Sequence, residues 1–175
     1  MSTISGEVGG MEIQYECSPP IPTQGTEMEP NTNVRTQDEI ITLLVQARTI
    51  AVVGVKDLPS EDAYRIPAYL KEKGYLVIPV NPKLSTVLES ESFPSLSSIP
   101  ETLWPIDIVN LFRAAEHMPQ HVDEILSLPE KPRAVWTQLG IHHGPSAQRL
   151  RAAGIEVIQD RCIMVDHRNL IGVEV

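Results

Sequence analysis

Two short apolar runs, residues 50–55 (IAVVGV) and 75–80 (YLVIPV), bracket a segment whose apolar positions fall at helical spacing. Both runs are rich in Val and Ile and are shorter than an ordinary helix, so they predict buried strands. Between them Ala63, Ile66, Tyr69 and Leu70 recur on one helical face, and Gly74 follows as a C-cap residue. Pro67 fits a first helical turn, which predicts that the helix starts within residues 62–66. A strand, a helix and a second strand make a βαβ unit with parallel strands. Its first loop then lies at the carboxyl edge of the sheet, where nucleotide-type ligands bind in such folds.

The same patterning extends in both directions. Upstream, Thr36-Gln37-Asp38-Glu39 has the form of a capping box, and Ile40, Ile41, Leu43, Leu44 and Ala47 predict a helix ending near Arg48. Downstream, Asn81-Pro82 predicts a turn and residues 95–99 a short helix stopped by Pro100. Residues 106–111 (IDIVNL) predict a strand buried on both faces. Met118, Val122, Ile125 and Leu126 share one side of a helix over 117–128, with Pro119 in its first turn. A strand over 134–139, a helix over 146–153 closed by Gly154 and a last strand over 155–158 complete the series. This alternation predicts an α/β fold: a Rossmann-like, doubly wound, mostly parallel sheet of about five strands in three layers, with the first strand central. Residues 1–34 are rich in Gly, Pro, Thr, Glu and Asn, and their apolar residues are sparse and aperiodic. They are expected to be a flexible N-terminal tail on a domain spanning 35–175.

Composition narrows the function classes. The chain has 175 residues, enough for one domain with a real core, and 42% of them are hydrophobic. A net charge of -9 argues against a general nucleic-acid binder, because that affinity comes from neutralised phosphates. No run approaches the ~20 apolar residues of a membrane span. The N-terminus shows neither a secretory leader nor an Arg-rich presequence. Cys17 and Cys162 have no metal-ligand spacing and suit a reducing compartment. A cytoplasmic protein is the expectation, without nucleic-acid or membrane partners.

Each long strand ends in a polar segment: Gly54-Val55-Lys56, Asn81-Pro82-Lys83, Phe112-Arg113 and Gln138-Leu139-Gly140. In a parallel sheet these ends share one edge, and the crevice opens between the first and third long strands, where the winding reverses. Lys56, Arg65, Lys83 and Arg113 are expected to gather there, with the unpaired N–H groups of the helix start near Tyr64. Such a set suits a ligand with several phosphates. The loop departs from the dinucleotide fingerprint, since Gly54 is the one glycine between the first strand and Gly74. Lys83 stands where an acidic residue would grip a ribose diol, which favours a ligand carrying an added phosphate over NAD. The blander alternatives are solvated surface for the four cations, core packing for Phe112 and turn structure for Gln138 and Gly140. Cys162 is expected to be buried and inert, with a reactive thiol as the alternative. His142-His143 lacks a third metal ligand, and Asp166-His167 has no nucleophile beside it and reads as surface.

The segments VVGVKDLPSEDAYRIPAYLKEKGYLVIPVNPK, IDIVNLFR, WTQLGI and AAGIEVIQDRC, spread over about residues 49–162, resemble the small stand-alone CoA-binding proteins. These are relatives of the CoA-binding domain in the succinyl-CoA synthetase α subunit. The resemblance implies a Rossmann-like fold that binds coenzyme A. It implies phosphate contacts from Gly54, Lys56, Ser60, Tyr64 and Arg65. It also implies contact of Lys83 with the adenosine phosphates, with Asn81 and Pro82 shaping its turn, and Phe112 and Arg113 flanking the ligand. Gln138 and Gly140 complete the candidate set. The chain departs from the ligase subunit in lacking room for its phosphohistidine domain and in reducing the glycine-rich loop to one glycine, which argues against ligase activity. The leading expectation is a non-catalytic binder of CoA or a short acyl-CoA. The alternatives are an NADP-dependent oxidoreductase and a docking partner of an acyl-CoA-using enzyme.

Overall fold

A computed structural model describes residues 36–172. The expected tail over 1–34, with Cys17, lies outside the described residues. The first described element is helix α1 (Gln37–Gln46). Its start is fixed by the capping box read from the sequence: Thr36 Oγ1 accepts the Glu39 N–H, and Glu39 Oε2 accepts the Thr36 N–H.

The chain continues through β1 (Thr49–Val53), α2 (Asp62–Glu72), β2 (Leu76–Val80), a small hairpin of β3 (Thr86–Val87) and β4 (Ser90–Glu91), then β5 (Ile108–Leu111). It closes with α3 (Met118–Ser127), β6 (Ala134–Thr137), α4 (Gly144–Ala152), β7 (Glu156–Ile158) and α5 (Ile163–Leu170). Five strands form one parallel sheet in the order β2-β1-β5-β6-β7. The expected first strand is therefore interior but not central, since the middle place belongs to β5. The chain moves outward from β1 to β2, then crosses back over β1 to β5. The winding reverses between β1 and β5, as expected.

Strand alternation splits the core into two layers. Ile50, Val52, Val77, Ile108, Ala134 and Trp136 pack under α1, α2 and α5. Ala51, Val53, Ile78, Val109, Leu111 and Val135 pack under α3, α4 and the 93–106 connection. With both faces covered, β1, β5 and β6 are buried throughout. Pro79 is tolerated in β2 because that strand is a sheet edge. At the amino end of the sheet, Asp107 Oδ2 accepts the N–H groups of Arg48 (2.7 Å) and Thr49 (3.0 Å).

Two further readings need correction, and two elements went unread. Pro67 sits well inside α2, not in its first turn. It has no N–H for the Ala63 carbonyl, and that oxygen instead accepts the Lys56 N–H at 3.2 Å. The hairpin β3–β4 carries Leu88 and Glu89 at positive φ, without the Asn or Gly that signals such a turn. Helix α5 was unread, and it buries Asp166 and His167 instead of leaving them on the surface. Asp166 holds Arg161 through both oxygens at 2.8 Å, and His167 Nδ1 meets the Tyr69 hydroxyl at 2.9 Å. Among the described residues no helix is long and apolar enough to cross a membrane.

Candidate functional site

Three strand ends meet at the carboxyl edge. The Gly54 N–H bonds to Val80 O and the Phe112 N–H to Val53 O, both at 2.9 Å, so β2, β1 and β5 stay in register to their last residues. Gly54 is the pivot. Its φ is +87°, and a Cβ there would stand 2.7 Å from Phe112 O and 3.1 Å from Arg113 Nε. Only glycine serves this position, because the backbone is left-handed and the neighbouring strand's exit loop lies against it.

Two cavities open on either side of that contact and share Arg113. The first, about 490 Å³, lies between the Pro82 turn and α3 and is walled by Pro82, Pro94, Ser95, Arg113, His117 and His121. The second, about 310 Å³, lies under the first loop and is walled by Lys56, Ala63, Ile66, Phe112, Gln138 and Cys162, among others.

Charge is distributed unevenly between them. In the second cavity Lys56 is paired with Glu61, and Asp62 stands beside it at the α2 start, paired with Arg65 at 3.2 Å. These carboxylates offset the positive end of the helix. The first cavity is walled by Arg113, His117 and His121 and by the carboxylate of Glu124, while the Arg113 Nε and His121 Nδ1 atoms are enclosed in the wall without hydrogen-bond partners among the described residues. Burial first, then the positive Arg113, holds His121 below the ordinary histidine range, with Glu124 opposing and His117 adding to the depression.

Of the residues read from the sequence, Gly54, Lys56, Phe112, Arg113 and Gln138 line the second cavity, and Pro82 and Arg113 line the first. Asn81 ties two of the loops together. Its Nδ2 donates to Val55 O at 2.7 Å, and its Oδ1 accepts the Lys83 N–H at 2.9 Å. Lys83 is exposed on that turn, next to the first cavity's Pro82. Ser60 is exposed on the first loop. Gln138 is buried and donates from Nε2 to Asn110 Oδ1 at 2.8 Å, and Gly140 turns the β6 exit at φ +78° with its N–H on Asp160 Oδ1. Tyr64 and Arg65 are not brought to either cavity. They line a groove between α2 and α5 with Met164 and Arg168. The reason is helical phase: α2 starts at Asp62, so Ala63 and Ile66 take the inward positions and the two residues between them point away.

His117, Gln120 and His121 line the first cavity and were not read from the sequence as site residues. A signal was available, because His117 and His121 are four residues apart and so share one side of the helix start. Cys162 proves buried, as expected, and its burial is against the second cavity. His143 caps α4, accepting the Ser146 N–H at 3.2 Å.

Comparison with known proteins agrees with this geometry. A solved structure of a protein designated cell-free ID.343 from Thermus thermophilus is 40% identical, with a TM-score of 0.73, and the match covers 78% of this chain and all (100%) of that one. A hypothetical protein from Pyrococcus horikoshii OT3 is 30% identical with a TM-score of 0.74, covering 81% of this chain and 96% of its own. The uncharacterized protein YneT of Bacillus subtilis (strain 168) is 37% identical over 129 residues, 74% of this chain and 92% of YneT. Residues 48–168, which hold the whole parallel sheet and both cavities, match the profile described as the CoA binding domain, and the chain belongs to that family.

Proposed function

We propose that the chain binds coenzyme A or a short acyl-CoA at the carboxyl edge of its sheet, as a binding protein and not an enzyme. The observation that carries this reading is the pair of unlike cavities meeting at Gly54 and Arg113. CoA has an anionic phosphorylated nucleotide at one end and an uncharged thiol arm at the other. The first cavity offers the Arg113, His117 and His121 side chains against one carboxylate, Glu124, with Lys83 nearby on its turn. The second offers Ala63, Ile66, Phe112 and Ile141, with Lys56, Glu61 and Asp62 each in an ion pair. In this reading Gly54 lets the Phe112–Arg113 segment close against the end of β1, so that Arg113 reaches both cavities, and Phe112 packs against the ligand's apolar length. Family membership supports a CoA-type ligand.

Titration calorimetry with CoA, NADP, NAD and S-adenosylmethionine tests it. CoA is expected to bind most tightly, and tighter binding of NADP, or no CoA binding below millimolar, would overturn the reading. Lys83→Ala is expected to weaken CoA about tenfold while leaving dephospho-CoA nearly unchanged, as loss of one charge-assisted contact to the extra phosphate requires. Equal losses for the two ligands would remove Lys83 from that contact.

A further inference from the structure

We propose that the second cavity selects the acyl group: it admits an uncharged acyl chain and turns away one that ends in a carboxylate, with Glu61 as the discriminating residue. This deepens the CoA reading and rests on it for the thiol arm that carries the acyl group.

Three separate elements supply the apolar part of this wall. Ala63 and Ile66 come from α2, Phe112 from the β5 exit, and Leu139 and Ile141 from the β6 exit. Leu139 lines the cavity and is still 66% exposed, so it stands where the cavity meets solvent. An alkyl chain that covers such surface gains roughly in proportion to the area taken from water. A carboxylate in the same place would lose hydration without gaining that contact.

The charged part of the wall leaves no cation for an acyl carboxylate. Lys56, Glu61, Asp62 and Arg113 all line the cavity. Lys56 Nζ meets Glu61 Oε2 at 2.5 Å, and Asp62 pairs with Arg65 at 3.2 Å. Arg113 lines the first cavity as well, and in the CoA reading the phosphates engage it. The positive end of α2 would attract an anion, but Glu61 holds the cap position and Asp62 the first turn. The Glu61 side chain makes no cap hydrogen bond, which leaves its carboxylate on Lys56. An entering carboxylate must therefore compete with Glu61 for Lys56 and lie beside two like charges. Both ion pairs are partly exposed, and solvent screening holds the expected discrimination to about tenfold.

Butyryl-CoA and succinyl-CoA have acyl chains of the same length that end in a methyl and a carboxylate respectively. Titration calorimetry on the wild type is expected to show butyryl-CoA binding about tenfold more tightly than succinyl-CoA. Glu61→Gln removes the opposing charge and frees Lys56, while the main-chain bonds of residue 61 to Leu58, Tyr64 and Arg65 remain available. The ratio in this variant is expected to fall to about one. Methyl NMR of Ile66 and Ile141 with butyryl-pantetheine and succinyl-pantetheine probes the same wall without the nucleotide. At equal concentration butyryl-pantetheine is expected to shift both methyls and succinyl-pantetheine to leave them in place. If CoA binds but the wild-type ratio is about one, or Glu61→Gln leaves the ratio unchanged, the selection is overturned and the CoA reading stands. If CoA does not bind and butyryl-pantetheine alone shifts the methyls, the CoA reading is overturned and the selection stands. Equal shifts with both pantetheines, or none with either, overturn the selection in every case.

Discussion

At the scale of single residues, Gly54 and His167 show how backbone and burial set behaviour. Gly54→Ala forces a left-handed φ of +87° on alanine and places its Cβ 2.7 Å from a backbone oxygen that cannot swing aside. The loss of stability is expected to be about 2–4 kcal/mol, the strained conformation and the clash together, read from urea unfolding. Ligand affinity should fall further than stability predicts, since β1 and β5 must part at the crevice itself. His167 is buried against Tyr69, and burial, then Lys73, holds it below its ordinary value. The unfolded chain therefore binds a proton at a pH where the native state does not. Stability is full above the unfolded histidine value of about 6.5 and declines as pH falls from there toward the lowered native value. The urea midpoint should drop over that window, and His167→Gln should flatten the decline only in part. His121 is lowered in the same sense and adds to the decline. An unaltered slope in His167→Gln would show that this histidine protonates freely in the native state.

At the scale of elements, Pro67 makes an unusual link between a helix and the loop at the site. By lacking an N–H it frees the Ala63 carbonyl, which then holds the Lys56 N–H at the entrance of the second cavity. Pro67→Ala restores a competing helical donor. The Lys56 amide should exchange at least about tenfold faster, while global stability should not fall, because an interior proline costs a helix up to ~3 kcal/mol. Native-state hydrogen exchange followed by NMR reads both, and unchanged Lys56 protection would show the bond to be independent of the proline. This link was invisible in the sequence, where proline placement follows helix-start statistics and a tertiary acceptor leaves no trace. Elements whose apolar residues repeat cleanly were legible: β1, β2, β5, β6, the faces of α1 and α3, and the glycine stops after α2 and α4. Gly74 and Gly154 each end their helix with paired bonds, 74 to 71 and 75 to 70 in one, 154 to 151 and 155 to 150 in the other. Helix α5 was illegible because Asp166, His167 and Arg168 interrupt its apolar positions; Arg161 and Tyr69 make Asp166 and His167 acceptable inside, while Arg168 stays exposed over the Tyr69 ring. The residues walling the two cavities were legible where strand ends supply them, at Gly54, Pro82, Phe112, Arg113 and Gln138. They were not legible where helical phase decides direction, as for Tyr64 and Arg65, nor around the α3 start, where His117 and His121 line a cavity that exists only once β2 and the 93–106 connection are in place.

At the scale of the whole molecule, the reversal of winding between β1 and β5 does more than leave a crevice. It places an α2-side cavity and an α3-side cavity back to back, with Arg113 common to both. Each cavity is open and offers few anchoring groups, so a fragment that fills one should bind weakly. A ligand that fills both carries its second end at high effective concentration once the first is seated. Pantetheine alone and the phosphorylated adenosine fragment alone are therefore expected to shift the melting temperature little, even when added together. Intact CoA at about a hundred times its dissociation constant should stabilise the fold by ~2.7 kcal/mol, a rise of roughly 5–11 °C for a domain of this size. Gly54→Ala gives a second reading, since its Cβ would displace the Phe112–Arg113 segment that walls both cavities, and it should therefore reduce the shift by intact CoA and by each fragment alike. Thermal unfolding of the two proteins with each ligand measures the difference directly. An intact-CoA shift no larger than the sum of its fragments would mean that only one cavity is used, and the crevice would then bind by its nucleotide half alone.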